Sequence, residues 1–100
     1  MKTKFTKGPW DLKAVNTAWS VKTEEGKTVA DLWNSCASQE AVVANGHLIA
    51  SAPAMYKEIE SDIQELENRL LYTNHLSGDY TFIQERIAHK KGLLAEARGE

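Results

Sequence analysis

Three basic side chains near the end of the chain have a spacing that could hold a phosphate. Arg86, His89 and Lys90 are three and four residues apart, so a helix would bring them to one face. The alternative interpretation is a solvent-exposed helix face that balances acidic residues elsewhere. Lys7 and Trp10 form a second candidate, because a cation beside an aromatic ring suits a base and its phosphate.

The residues that usually carry catalysis or bind metals are scattered along the chain. Cys36 is the single cysteine and lacks the local motif that a nucleophile and its base would form. The intervals between His47, His75 and His89 match no zinc-ligand spacing, and the sequence contains neither a GxGxxG nor a Walker phosphate loop. We therefore expect no enzyme activity, no cofactor and no metal site.

Length and charge limit the class of protein. The 100 residues suffice for a single domain, 1–100, with a core small enough to make self-association a sensible expectation. The net charge of −2 gives no general case for binding a nucleic-acid duplex. A lone cysteine suits a reducing compartment, and the sequence shows neither a secretory signal nor a membrane-spanning stretch. We expect a cytoplasmic protein without a membrane partner.

Tryptophans mark the first third of the chain. The segment 1–34 contains runs with strand character on both sides of a turn at 24–27, which predicts a small antiparallel β hairpin or a three-stranded meander. Asn16 and Thr17 would form the second turn of a meander. The tryptophans either fill the small core of this sheet or leave one or two rings free to stack on a ligand. They are Trp10, Trp19 and Trp33.

The rest of the chain has helical periodicity. Ser38 is a suitable N-cap for a short helix over 38–52, and Pro53 must end or kink that helix or begin the next one. The segment 53–98 carries two apolar seams joined by a loop at 74–79, which predicts an antiparallel helical hairpin. The predicted fold class is therefore α+β. The seams are Ala52, Tyr56, Ile59, Ile63, Leu66, Leu70 and Thr73, followed by Tyr80, Ile83, Ile87, Lys90, Leu94 and Ala97.

Apolar residues outside these seams indicate self-association. Leu71, Phe82 and Leu93 lie off the seams, where one antiparallel pair of helices cannot cover them. The small strand unit could cover some of them, but we expect it not to cover all. The sequence therefore predicts a homo-oligomer, at least a dimer, with these residues near the contact.

Two neighbouring residues of the short helix need a physical reason. Gly46 costs a helix about 1 kcal/mol relative to Ala, so it indicates close packing or a ligand. Asn45 stands among small and apolar residues, where an amide more often satisfies a backbone group than binds a ligand. It remains a candidate for both roles. The candidate ligand-binding residues are Lys7, Trp10, Asn45, Arg86, His89 and Lys90.

Two strings of the chain resemble sequences of small phage and prophage proteins. The first is Phe5-Thr6-Lys7-Gly8-Pro9-Trp10, and the second is Asn45-x-x-Leu48-Ile49-Ala50-x-Ala52-Pro53. This sequence departs from the second pattern at Gly46 and Tyr56, where Ala and Leu are usual. The resemblance implies a phage-encoded protein. The chain is also similar in fold plan, a few strands followed by a helical pair, to phage anti-defence proteins. This similarity implies an oligomer that sequesters a cyclic nucleotide or a related nucleotide signal.

An acidic segment supports a different function. Residues 53–70 carry five acidic side chains against two basic ones. They form either a solvated helix face or a mimic of a nucleic-acid phosphate track. In the second case the protein would inhibit a host enzyme or a DNA-binding protein by direct contact. The five acids are Glu58, Glu60, Asp62, Glu65 and Glu67.

Overall fold

The computed structural model describes residues 4–15, 18–32 and 38–100. Within those residues, three strands precede three helices, which confirms the predicted α+β class. The chain divides into two compact units, Phe5–Met55 and a second that contains Tyr56–Glu100. The single domain over 1–100 stays a prediction. The elements are β1 (Trp10–Val15), β2 (Ala18–Thr23), β3 (Thr28–Leu32), α1 (Gln39–Ala50), α2 (Ala52–Leu71) and α3 (Gly78–Ala97).

The strands form an antiparallel meander in the order β1-β2-β3. The turn predicted at 24–27 joins β2 to β3, and Gly26 takes the positive φ of 85° that glycine tolerates best. Its amide donates to the Thr23 carbonyl at 3.0 Å, which closes the turn. The second predicted turn, at Asn16 and Thr17, lies outside the described residues.

Helix α1 packs against β1 and β2, and it approaches the sheet closely at a glycine, Gly46. Ser38 caps the helix, since its Oγ accepts from the Ala41 amide at 3.1 Å. Gly46 is buried, and a Cβ at this position would lie 2.5 Å from Leu12 Cδ1 and 2.8 Å from Leu32 Cδ1. The glycine therefore serves close helix–sheet packing, the first of the two predicted reasons for it.

The two strings that resemble phage sequences contact each other in this unit. A Cβ on Gly8 would lie 2.6 Å from the Pro53 Cβ, so the first string approaches the second where only a glycine fits. Pro53 lies in the first turn of α2, where its missing N–H leaves no helical hydrogen bond unmade. Both strings therefore have a packing role.

Helices α2 and α3 form the predicted antiparallel hairpin. Lys90 of α3 pairs with Asp62 of α2 at 3.3 Å, and Arg98, the C-cap of α3, donates to Tyr56 Oη near the start of α2 at 2.9 Å. The loop between them ends at Ser77, whose Oγ caps α3 by accepting from the Asp79 amide. The buried side chains of α2 and α3 all belong to the predicted seams. They are Tyr56, Ile63, Ile83, Ile87 and Leu94.

Candidate functional site

The first predicted ligand-binding pair, Lys7 and Trp10, lies where the chain enters β1. Lys7 is exposed, while Trp10 is half-buried and its indole N–H donates to the Thr6 carbonyl at 3.2 Å. The indole thus braces the turn before the sheet and keeps part of its ring accessible. Trp19 is half-buried as well, and Trp33 lies outside the described residues.

Asn45 lies on the exposed side of α1. Its amide therefore does not fill a buried gap, and its predicted hydrogen bond to a backbone group stays a prediction. The neighbouring Gly46 faces the sheet instead, because the two residues are about 100° apart around the helix. Asn45 is a surface group within the first unit.

The basic residues of α3 do not act as one phosphate clamp. Lys90 lies on the seam, where its ammonium is largely enclosed and paired with Asp62 at 3.3 Å. Arg86 instead lies over the ring of Phe82, 5.7 Å from the ring centroid, in a cation–π contact. His89 is exposed on the same side of the helix. Lys90 therefore holds the hairpin together, and Arg86 is the cation that remains accessible to a ligand.

Arg86 borders a cavity between α2 and α3 at the loop end of the hairpin, here called the arginine groove. It encloses about 330 Å³ and contains a second arginine, Arg69 of α2. Arg69 pairs only loosely with Glu65, at 3.9 Å on the same helix. Arg86 has no carboxylate partner in the part of the chain that the structure describes. The groove is lined by Leu66, Arg69, Thr73, Asp79, Phe82, Ile83 and Arg86.

Sequence reasoning missed Arg69 as a site residue because Arg69 entered only as one of the two basic side chains in the acidic segment 53–70. The antiparallel alignment supplies the missing signal. If Lys90 faces Asp62, then residues near 69 on α2 must face residues near 83 to 86 on α3. Pairing the seam residue Lys90 with Asp62 on the preceding helix would have aligned the two helices in the sequence analysis. That alignment would have placed Arg69 near Arg86.

A band of apolar side chains remains exposed on the hairpin. The three residues predicted to need another partner are Leu71, Phe82 and Leu93, and they are 78%, 58% and 41% exposed. Tyr72 and Leu76, at the end of α2 and in the loop, are exposed at 90% and 94%. The hairpin thus covers its seams and leaves these large apolar groups in contact with water, which is unfavourable unless a partner covers them.

The acidic segment of α2 is partly neutralised by cations. Asp62 pairs with Lys90, Glu65 with Arg69, and Glu67 with Lys91 at 3.8 Å. Three of the five acids thus have a basic partner. Only the Asp62 pair is partly enclosed, whereas the Glu65 and Glu67 pairs are long and exposed and so neutralise their carboxylates weakly.

A family model matches the chain over residues 1–100, and its description is Salmonella phage P22 protein Y8K6. The chain belongs to this family. The prediction of a phage protein is thereby confirmed. No curated protein and no solved structure shows a significant match.

Two further observations describe this Y8K6 family member. None of the helices formed by the described residues is long and apolar enough to cross a membrane. Nor does any group of three His, Cys, Asp or Glu side chains in residues 4–15, 18–32 and 38–100 lie close enough together to hold a metal ion.

Proposed function

We propose that this Y8K6 family member binds a host-derived target in the host cytoplasm without catalysing a reaction, and that it does so as a homo-oligomer. The observation that carries the proposal is the exposure of Leu71, Phe82 and Leu93 on a hairpin whose seams are already filled. Covering large apolar side chains is the main favourable contribution to protein association. A second copy of the chain is the partner that is always present.

The spacing on α3 suits a symmetric contact. Phe82 and Leu93 are eleven residues apart, about three helical turns, and so lie on the same side of the helix. In a two-fold antiparallel arrangement, Phe82 of each copy would face Leu93 of the other. Arg86 lies between these two positions, so the contact would bring the arginine grooves of two copies near each other.

The ligand in this proposal is a cyclic nucleotide or a related nucleotide signal, which the phage protein sequesters as an anti-defence protein. An accessible arginine beside an aromatic ring supports it, because guanidinium groups bind phosphate and aromatic rings stack on bases. Lys7 of the first unit is a second exposed cation, three residues before the half-buried Trp10.

The alternative is a protein–protein inhibitor that acts through the acidic face of α2. Glu58 and Glu60 are exposed and favour it. The cation partners of Asp62, Glu65 and Glu67 count against it, because a paired carboxylate attracts a basic partner less strongly. The nucleotide-binding oligomer is the better-supported function.

Thermal unfolding in the presence of cyclic dinucleotides, cyclic trinucleotides and ADP-ribose derivatives tests the proposed ligand class. A ligand present at about 100 times its Kd should stabilise the native protein by about 2.7 kcal/mol, which is a clear rise in Tm. Adenosine serves as the uncharged control and should produce no such rise. Unchanged Tm values with all nucleotides at high micromolar concentrations would contradict the nucleotide function.

A further inference from the structure

We propose that the arginine groove is an anion site that takes phosphate groups, with Arg69 and Arg86 as the two donors. The inference rests on the proposed function and adds the place where a nucleotide is held. The sequence grouped Arg86 with His89 and Lys90, whereas the groove pairs Arg86 with Arg69 as the second phosphate-binding cation. Lys90 is occupied by Asp62 in the hairpin seam.

Arg86 is arranged to donate hydrogen bonds outward. Its guanidinium lies over the Phe82 ring at 5.7 Å from the centroid, a cation–π contact that uses the face of the ring and leaves the guanidinium N–H groups without a carboxylate partner among the described residues. The N–H groups of a guanidinium point outward in its own plane, where they fit two oxygens of a phosphate.

Arg69 can reach the same anion at little cost. Its pair with Glu65 is 3.9 Å long, and both side chains are mostly exposed, so solvent already weakens the pair. A phosphate placed between the helices can therefore replace Glu65. Asp79 contributes the one negative charge of the lining, against two from the arginines. The first turn of α3, where Asp79 lies, stabilises that carboxylate through the helix dipole.

The remaining walls fit the rest of a small ligand. Leu66, Phe82 and Ile83 are apolar and can contact a base or a sugar. The volume of about 330 Å³ lies at the lower end of ligand cavities, which are typically about 300–1,000 Å³. One nucleotide-sized unit therefore fits in one groove, and a larger cyclic nucleotide would extend beyond it.

The test is isothermal titration calorimetry and amide NMR of the full-length chain with pyrophosphate, AMP and adenosine at low ionic strength. We expect pyrophosphate and AMP to shift the resonances of residues around the groove, and adenosine to bind at least about tenfold more weakly than AMP. R69Q and R86Q should each weaken AMP and pyrophosphate binding by about tenfold or more, because each removes a charged hydrogen-bond donor. The matched control is K57Q, which removes one exposed cation from α2 outside the groove and should change affinity by less than about twofold.

R86K guards against a folding defect, because it keeps the charge and loses only the paired donors. It should weaken binding less than R86Q does but more than K57Q. Nucleotide binding that survives both R69Q and R86Q would overturn the assignment of the groove and leave the nucleotide function standing. Pyrophosphate binding that depends on both arginines, without nucleotide binding, would uphold the groove and overturn the nucleotide function. If no phosphate-bearing probe binds, the groove assignment is wrong.

Discussion

The two units of this protein differ in how much space surrounds the glycines of their helices. In the unit Phe5–Met55, glycines allow the backbone to approach neighbouring side chains closely, as Gly46 does at Leu12 and Leu32. In the unit that contains Tyr56–Glu100, both glycines of α3, Gly78 and Gly92, have open space where a side chain would lie. Close approach makes the first unit intolerant of added atoms, whereas the second unit leaves apolar and basic groups available to a partner.

This difference shows what the recognisable strings of the chain encode. The strings meet at Gly8 and Pro53, within the first unit. The arginine groove lies in the second unit, outside both strings. The match to the phage family covers residues 1–100 and gives the origin of the chain, whereas the surface chemistry must be inferred from individual residues such as Arg69 and Arg86.

The largest effect is expected from a substitution that removes a buried side chain from the seam of the hairpin. Ile87→Ala should lower the free energy of unfolding of the second unit by about 2–5 kcal/mol, because it removes a buried side chain from between the helices. Leu71→Ala is the matched control, since Leu71 is exposed in the single chain. At concentrations where the protein is monomeric, it should change stability by less than about 0.5 kcal/mol. Urea unfolding followed by circular dichroism measures both, and equal losses would contradict the assignment of seam and surface.

The next effect compares a glycine inside α1 with a glycine inside α3. Gly46→Leu places a side chain where Leu12 and Leu32 already lie, and it should destabilise the first unit by about 1–3 kcal/mol. Gly92→Leu adds the same atoms to open space and should stabilise α3 by up to about 1 kcal/mol, since leucine is a better helix former than glycine. Denaturant unfolding measures the change in the free energy of unfolding for each substitution. If both changes have the same sign, the contrast between the units is wrong.

A smaller effect is expected from the ion pair that sets the alignment of the helices. Asp62→Asn leaves the largely enclosed Lys90 ammonium without a charged partner and should cost about 1 kcal/mol. Glu67→Gln removes the partner of Lys91 in a more exposed pair and should cost about 0.5 kcal/mol or less. A double-mutant cycle with Lys90→Met and Lys91→Met gives the two coupling energies, and the first should exceed the second.

The smallest effect is a pH dependence at the end of the hairpin. The Arg98 guanidinium, 2.6 Å from Glu100, lowers the pKa of that carboxyl below its ordinary value of 4.5. A carboxyl whose pKa is lower in the folded state stabilises the protein above the unfolded-state pKa, and this contribution is lost as the pH falls through the folded-state pKa. Glu100→Gln should therefore lower stability slightly near pH 7, and the difference between the two proteins should disappear as the pH falls below 4.5 and through the folded-state pKa. Unfolding curves of the two proteins between pH 7 and pH 3 test this.

The fold followed from periodic patterns that local physics controls. Alternating residues predicted the strands, Ser38 predicted a helix start, and two seams predicted the hairpin. Contacts between distant residues were harder to foresee. Asn45 and Gly46 are neighbours with opposite environments, and only the sheet beneath α1 determines which of them is buried. Arg69 was missed for a similar reason, because its place beside Arg86 depends on how α2 and α3 are aligned.

The central claim is that the exposed apolar band of the hairpin is covered by a second copy of the chain. Multi-angle light scattering at micromolar concentration tests it directly. We predict a mass of at least twice the 11.2 kDa of one chain, which falls to one chain when Phe82→Glu and Leu93→Glu are combined. A pair of substitutions in the first unit, Lys7→Glu with Lys27→Glu, should leave the mass unchanged. A monodisperse 11.2 kDa species for the unaltered protein would contradict the claim.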